Sequence, residues 1–215
     1  MELQQLNLFK NLLLSEEGHT SLLYRFLNPN GTHGQNDLLL KIFVQEILKG
    51  NYSSDFTLEL SKRTDKKGSI DLFIGNEDHA FVIKDKIRKA PNRANELYSY
   101  WHNGIYDSLC KKGFKKEDLF SPEFYQQDCI NDNYKVVYLT LDGNMKPEGK
   151  TIEYSPVEKY LEFPQSLPCP VTCISYKEDI NNWLLKTVES IEDKKNNALL
   201  VSILEEYSEW ITHYS

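Results

Sequence analysis

The spacing of apolar residues changes several times along this chain, and each change marks an element. Leu3, Leu6, Phe9 and Leu13 recur at helical spacing, which predicts a helix over residues 2–14. A second helix is predicted from about Ser15. It carries Glu16 and Glu17 in its first turn, where carboxylates complement the helix dipole, and runs through Leu22, Leu23 and Phe26 to the turn Asn28-Pro29-Asn30-Gly31. Leu38, Leu39, Ile42, Phe43 and Ile47 predict a third helix over about 35–49. The period then falls to two. Phe56, Leu58 and Leu60 alternate with Thr57 and Glu59 and predict a strand, followed by a charged turn over 62–68. Residues 69–75 and 79–87 read as a hairpin about Asn76-Glu77-Asp78.

Pro91 interrupts the pattern, and a helix is expected from about Asn92 to Lys111. Residues 112–133 are polar, Phe-rich and irregular, and read as an insertion. Tyr134 to Leu141 is a strong strand closed by Asp142-Gly143. Residues 143–169 hold four of the eight prolines and read as a long loop with a short helix near Ser155. Val171 to Tyr176 is a last strand, and helices at about 177–191 and 193–213 close the chain. Three consecutive strands, a crossover helix and two further strands predict an α/β domain: a mixed β-sheet flanked by helices on both faces.

At 215 residues the chain is most simply one domain, 1–215, with room for a full core. The formal net charge of -7 is unlike that of a non-specific nucleic-acid binder, so nucleic-acid contact would need a local basic patch. The N-terminus lacks the pattern of a signal peptide, and no stretch approaches the ~20 apolar residues of a membrane span. Cys110, Cys129, Cys169 and Cys173 match no zinc spacing and read as reduced cytoplasmic thiols.

The hairpin carries the candidate chemistry. Asp71 sits in its first strand, while Lys84 and Lys86 share one face of the second and Ile83, Asp85 and Ile87 the other. A carboxylate beside two ammonium groups suits phosphodiester hydrolysis, which needs a metal to polarise the phosphoryl oxygen and positive charge where negative charge develops. Oxygen ligands suit Mg²⁺ or Mn²⁺. From these residues alone, a solvated cross-strand pair of Asp71 and Lys86 explains the pattern equally well.

Six motifs in order favour the first reading. They are Glu16-Glu17-Gly18-His19-Thr20, Asn28-Pro29-Asn30-Gly31-Thr32-His33-Gly34, Ser69-Ile70-Asp71-Leu72 with Ile83-Lys84-Asp85-Lys86-Ile87, Glu96-Leu97-Tyr98-Ser99-Tyr100, Val137 to Gly143, and Ile174-Ser175-Tyr176 to Trp183-Leu184. Together, over about 16–185, they resemble bacterial families of the PD-(D/E)xK nuclease superfamily, which have the restriction-endonuclease-like fold. The resemblance implies a cytoplasmic, metal-dependent nuclease acting on DNA or RNA, in defence against foreign DNA. It implies Asp71 as a metal ligand, the Asp85 backbone carbonyl as another, and Glu16 as an accessory carboxylate. It also implies Lys86 as the catalytic lysine and Tyr100 lining the site.

The chain departs from the family pattern at three positions. Lys84 stands where the family has Glu, Ser69 where it has Arg, and Glu96 where it has Gln. Either the second acid has migrated to Glu96 on the following helix, as in some restriction enzymes, or the site has lost its activity. The second outcome would leave a non-catalytic binding or regulatory module. Arg88, Lys89 and Arg93, with Lys62 and Arg63, flank the proposed site as phosphate contacts or as solvated turn charges. His19 and His33 read as structural, and Tyr98, Trp101 and Tyr106 as packing residues.

Overall fold

The structure is a computed structural model that describes residues 16–64, 69–87, 93–153 and 163–214. The helix expected over 2–14 lies outside the described residues, as do Arg88, Lys89 and Ser155. Helix α1 (Glu16–Leu27) and helix α2, which begins as Leu38–Ile42 and widens into a π turn at Phe43–Ile47, precede the sheet. Strands β1 (Thr57–Arg63), β2 (Ser69–Gly75) and β3 (Ala80–Lys86) form an antiparallel meander. Helix α3 then runs through Glu96–Tyr100, a π turn at Trp101–Tyr106, and Asp107–Lys111. Strands β4 (Tyr134–Thr140) and β5 (Val171–Ser175) add in parallel. The sheet order is β1-β2-β3-β4-β5. A π turn (Tyr176–Ile180) leads into α4 (Asn181–Ser190), and α5 (Ala198–Tyr214) closes the chain.

Strand alternation divides the core into two layers. Leu72, Ile74, Phe81, Ile83, Val137 and Leu139 pack with α1, α2, α4 and α5. Phe73, Ala80, Val82, Val136 and Tyr138 pack with α3 on the opposite face. Gly104 lets α3 approach this closely, because a Cβ there would lie 2.2 Å from Cγ1 of Val82.

Two expectations are corrected. Residues 112–133 are not irregular: short helical turns at Lys116–Leu119, Phe124–Gln126 and Asp128–Asn131 bury Leu119, Phe124, Tyr125 and Ile130 in the second layer. Lys62 and Arg63 belong to β1 rather than to a turn. Lys62 pairs with Glu59 and lies over the Phe73 ring at 3.7 Å, which makes it a surface packing residue. Among the described residues no helix is long and apolar enough to cross a membrane.

Candidate active site

Strand β3 is buried along its whole length, yet it ends in three charged residues. Lys84, Asp85 and Lys86 are 7%, 1% and 6% exposed. Buried charge is tolerated only where it is paired or hydrogen-bonded, so the partners of these three side chains define the site.

The partners meet where β2 and β3 part. Their pairing ends at Leu72 opposite Ile83, leaving Asp71 and Lys84 at the fork. Asp71 also interrupts the alternation of β2, since Ile70 packs in the second layer whereas Leu72 and Ile74 pack in the first. Facing Asp71, the β1 ladder skips Ser61, which holds a left-handed φ of 52°. A strained non-glycine residue inside a strand is costly and marks a place where the ladder yields to local geometry.

Asp71 is tightly held there. Tyr100 donates its hydroxyl to Oδ1 at 2.9 Å, and the Tyr100 hydroxyl oxygen in turn accepts the Asp71 N–H at 3.2 Å. Asp71 Oδ2 accepts the Asp85 N–H at 3.0 Å and the Lys84 ammonium at 2.8 Å. Lys84 Nζ also lies 3.6 Å from Glu96 Oε1, and Lys86 Nζ lies 3.8 Å from Glu16 Oε1. Burial alone would push the Lys84 pKa down, but Asp71, Glu96 and Glu16 outweigh it and raise the value above that of an ordinary lysine. Lys84 is therefore an ammonium ion, not a neutral amine ligand.

A cleft of about 490 Å³ opens over this cluster. Its walls include Glu16, Glu17, Asp71, Lys84, Lys86, Arg93 and Glu96, with Ser61 and Ser69 at the β1–β2 side. Asp71, Lys84, Lys86, Glu96, Glu16 and Arg93 thus come together as the sequence suggested. One expected participant is placed elsewhere. Tyr100 is buried and acts on Asp71 from behind, so it is not part of the cleft wall. The Asp85 carboxylate points into the opposite layer, where Thr20 and Tyr176 donate to Oδ2 at 2.7 Å and 2.8 Å. Oδ1 of Asp85 is buried with no hydrogen-bond partner among the described residues. Desolvation raises the Asp85 pKa to about 7 despite those two donors. Thr20 and Tyr176 went unassigned at the sequence level. Both stand inside recognisable motifs, but their pairing with Asp85 spans 65 and 91 residues.

The two histidines are structural, as their positions suggested. His19 meets Tyr207 OH at 2.9 Å in a cage of Tyr176, Tyr207 and Trp210. His33 bridges the Asn28 carbonyl and the Gln35 N–H within the turn after α1.

The residues present do not fit a divalent ion. Both oxygens of Asp71 already accept hydrogen bonds, and the Lys84 ammonium, 2.8 Å from Asp71 and 3.6 Å from Glu96, sets a fixed positive charge against both carboxylates. Among the described residues no group of three His, Cys, Asp or Glu side chains converges as a metal shell.

The family model of the PD-(D/E)XK nuclease superfamily matches residues 6–207. No curated protein and no solved structure matches the chain.

Proposed function

The chain belongs to the PD-(D/E)XK nuclease superfamily, and from that premise we propose that its cleft takes a nucleic-acid phosphodiester, that of DNA, and that Lys84 weakens or abolishes hydrolysis. Members of this superfamily generally use divalent ions. The observation that carries the reading is the Lys84 ammonium, paired with Asp71 at 2.8 Å and facing Glu96 at 3.6 Å, in the cleft that also holds Lys86. Asp71 and Glu96 fix the Lys84 charge, and Lys86 and Arg93 supply positive charge beside it. Such groups orient a phosphate and oppose its charge. The same arrangement sets a fixed positive charge against both carboxylates, so Mg²⁺ or Mn²⁺ is opposed by charge.

We assign the protein to the cytoplasm, as one domain over residues 1–215, with a role in defence against foreign DNA. The alternative of a binding or regulatory module without catalysis rests on the same ammonium and differs only in whether residual cleavage survives. The test is cleavage of plasmid DNA and structured RNA with Mg²⁺ or Mn²⁺ by three proteins: the unmodified chain, Lys84→Glu and Glu96→Gln. Weak or absent cleavage by the first and strong cleavage by the second supports the proposal. Brisk cleavage by the unmodified chain that disappears in Glu96→Gln would mean that the acid has migrated to Glu96 and the site is intact.

A further inference from the structure

The contacts around Lys84 form a completed arrangement, unlike what remains when a ligand is simply lost. A site that had merely lost its acid would leave Asp71 and Glu96 facing each other, with their repulsion uncompensated. Here both point at one ammonium, and Asp71 accepts from Lys84, Tyr100 and the Asp85 backbone together. The side chain of Lys84 is 9% exposed, so its charge is fixed in the cleft wall and does not sweep through solvent.

Charge counting gives this arrangement a meaning. A glutamate at position 84 together with a bound divalent ion would carry +1. The Lys84 ammonium also carries +1. The cleft therefore has, without any metal, the net charge that an acid-bearing site acquires only after binding one. We propose that Lys84 replaces the acid and its metal as a built-in cation, so that the cleft binds a nucleic-acid phosphate independently of divalent ions. This rests on the reading that the cleft takes a nucleic-acid phosphodiester. It keeps the electrostatic part of recognition and gives up the Lewis acid and the activated water. Arg93 and Lys86 also line the cleft, Lys86 with its ammonium 3.8 Å from Glu16.

The experiment is binding of a labelled DNA duplex and a labelled RNA, in EDTA and then in Mg²⁺ or Ca²⁺. The proteins are the unmodified chain, Lys84→Arg, Lys84→Gln and Lys84→Glu, each checked for folding by circular dichroism. The unmodified chain is expected to bind equally well in EDTA and in divalent ion, with Lys84→Arg retaining that behaviour. Lys84→Gln should lose about tenfold in affinity in both conditions, the effect of removing one fixed charge near a phosphate. Lys84→Glu should bind poorly in EDTA and recover with divalent ion, and Mn²⁺ should raise its melting temperature while leaving that of the unmodified chain unmoved. Binding by the unmodified chain only after divalent ion is added overturns the built-in cation and leaves the nucleic-acid reading standing. Equal affinity of Lys84→Gln and the unmodified chain also overturns it. Absence of binding by every protein in every condition overturns the nucleic-acid reading itself.

Discussion

Tyr100 grips Asp71 twice, donating its hydroxyl to Oδ1 at 2.9 Å and accepting the Asp71 N–H at 3.2 Å. Burial and then the charges of Asp71 and Glu96 hold the phenol pKa well above its ordinary value, so Tyr100 stays a donor throughout the working pH range. Tyr100→Phe removes one hydrogen bond to a carboxylate and strands a backbone N–H. The expected loss is about 1.5–3 kcal/mol, readable by urea denaturation. Stability equal to that of the unmodified chain would show that Lys84 and the Asp85 N–H suffice to hold Asp71.

Gly104 gives a second prediction, because it sets how closely α3 approaches β3. In an exposed helix Gly→Ala stabilises by up to ~1 kcal/mol. Here the added methyl would meet Cγ1 of Val82 at 2.2 Å, two residues before Lys84 on the same strand. Overpacking of this kind costs about 1–3 kcal/mol, so Gly104→Ala is expected to be destabilising on balance. A lowered thermal midpoint confirms the clash, and a raised one would mean that α3 can shift outward at little cost.

The fork of β2 and β3 was legible because its signals are local. Period-two alternation placed Lys84 and Lys86 on one face and Asp85 on the other, and the structure agrees. Asp71, Lys84 and Glu96 were all identified as candidates for one cleft, but the pairing of the Lys84 ammonium with both carboxylates was not. Which charge compensates a buried ammonium depends on tertiary distance, and chain spacing does not encode it. The Thr20–Asp85–Tyr176 cluster was illegible for the same reason. Residues 112–133 misled in another way. Their short turns have no sustained period, yet four of their side chains enter the core, where packing outweighs the weak local pattern.

Asp85 makes a pH prediction whose sign runs opposite to that of a salt-bridged aspartate. Its folded pKa is raised to about 7, chiefly by desolvation. Thr20, Tyr176 and Lys84 favour the charged form and Asp71 opposes it. An aspartate in the unfolded chain titrates near ~4. Between these values the folded state holds a proton that the unfolded state has released. This group's contribution therefore makes stability fall as pH rises from about 4 to about 7, and level off above. Asp85→Asn should flatten that segment of the profile and match or exceed the unmodified chain at pH above about 7, where the native residue is a charged, half-satisfied carboxylate. Denaturant midpoints across this range check it, and an unchanged slope in the Asn variant would assign the dependence to another group.

Lys84→Glu is the substitution with the largest expected effect on activity. It turns an ammonium paired with Asp71 and facing Glu96 into a third carboxylate at the fork. Without metal, three converging acids repel, so the variant is expected to be less stable than the unmodified chain in EDTA. With a divalent ion the sign reverses. At about 4 Å and an effective dielectric of ~20, a unit positive charge opposes a divalent ion by several kcal/mol, and replacing it with a ligand removes that opposition. Each ~1.4 kcal/mol recovered in the transition state corresponds to about tenfold in rate, so cleavage should rise by well over tenfold. Lys86 and Arg93 are untouched by the change and remain in the lining of the cleft. Glu96→Gln in the Lys84→Glu background then separates two roles. If Glu96 serves only to balance Lys84, its loss should cost little once the ammonium is gone. If it is itself a ligand, cleavage should fall again and the Mn²⁺-dependent rise in melting temperature should shrink with it. Plasmid cleavage rates and melting temperatures of the unmodified chain and the two variants, measured with and without Mn²⁺, decide between those roles.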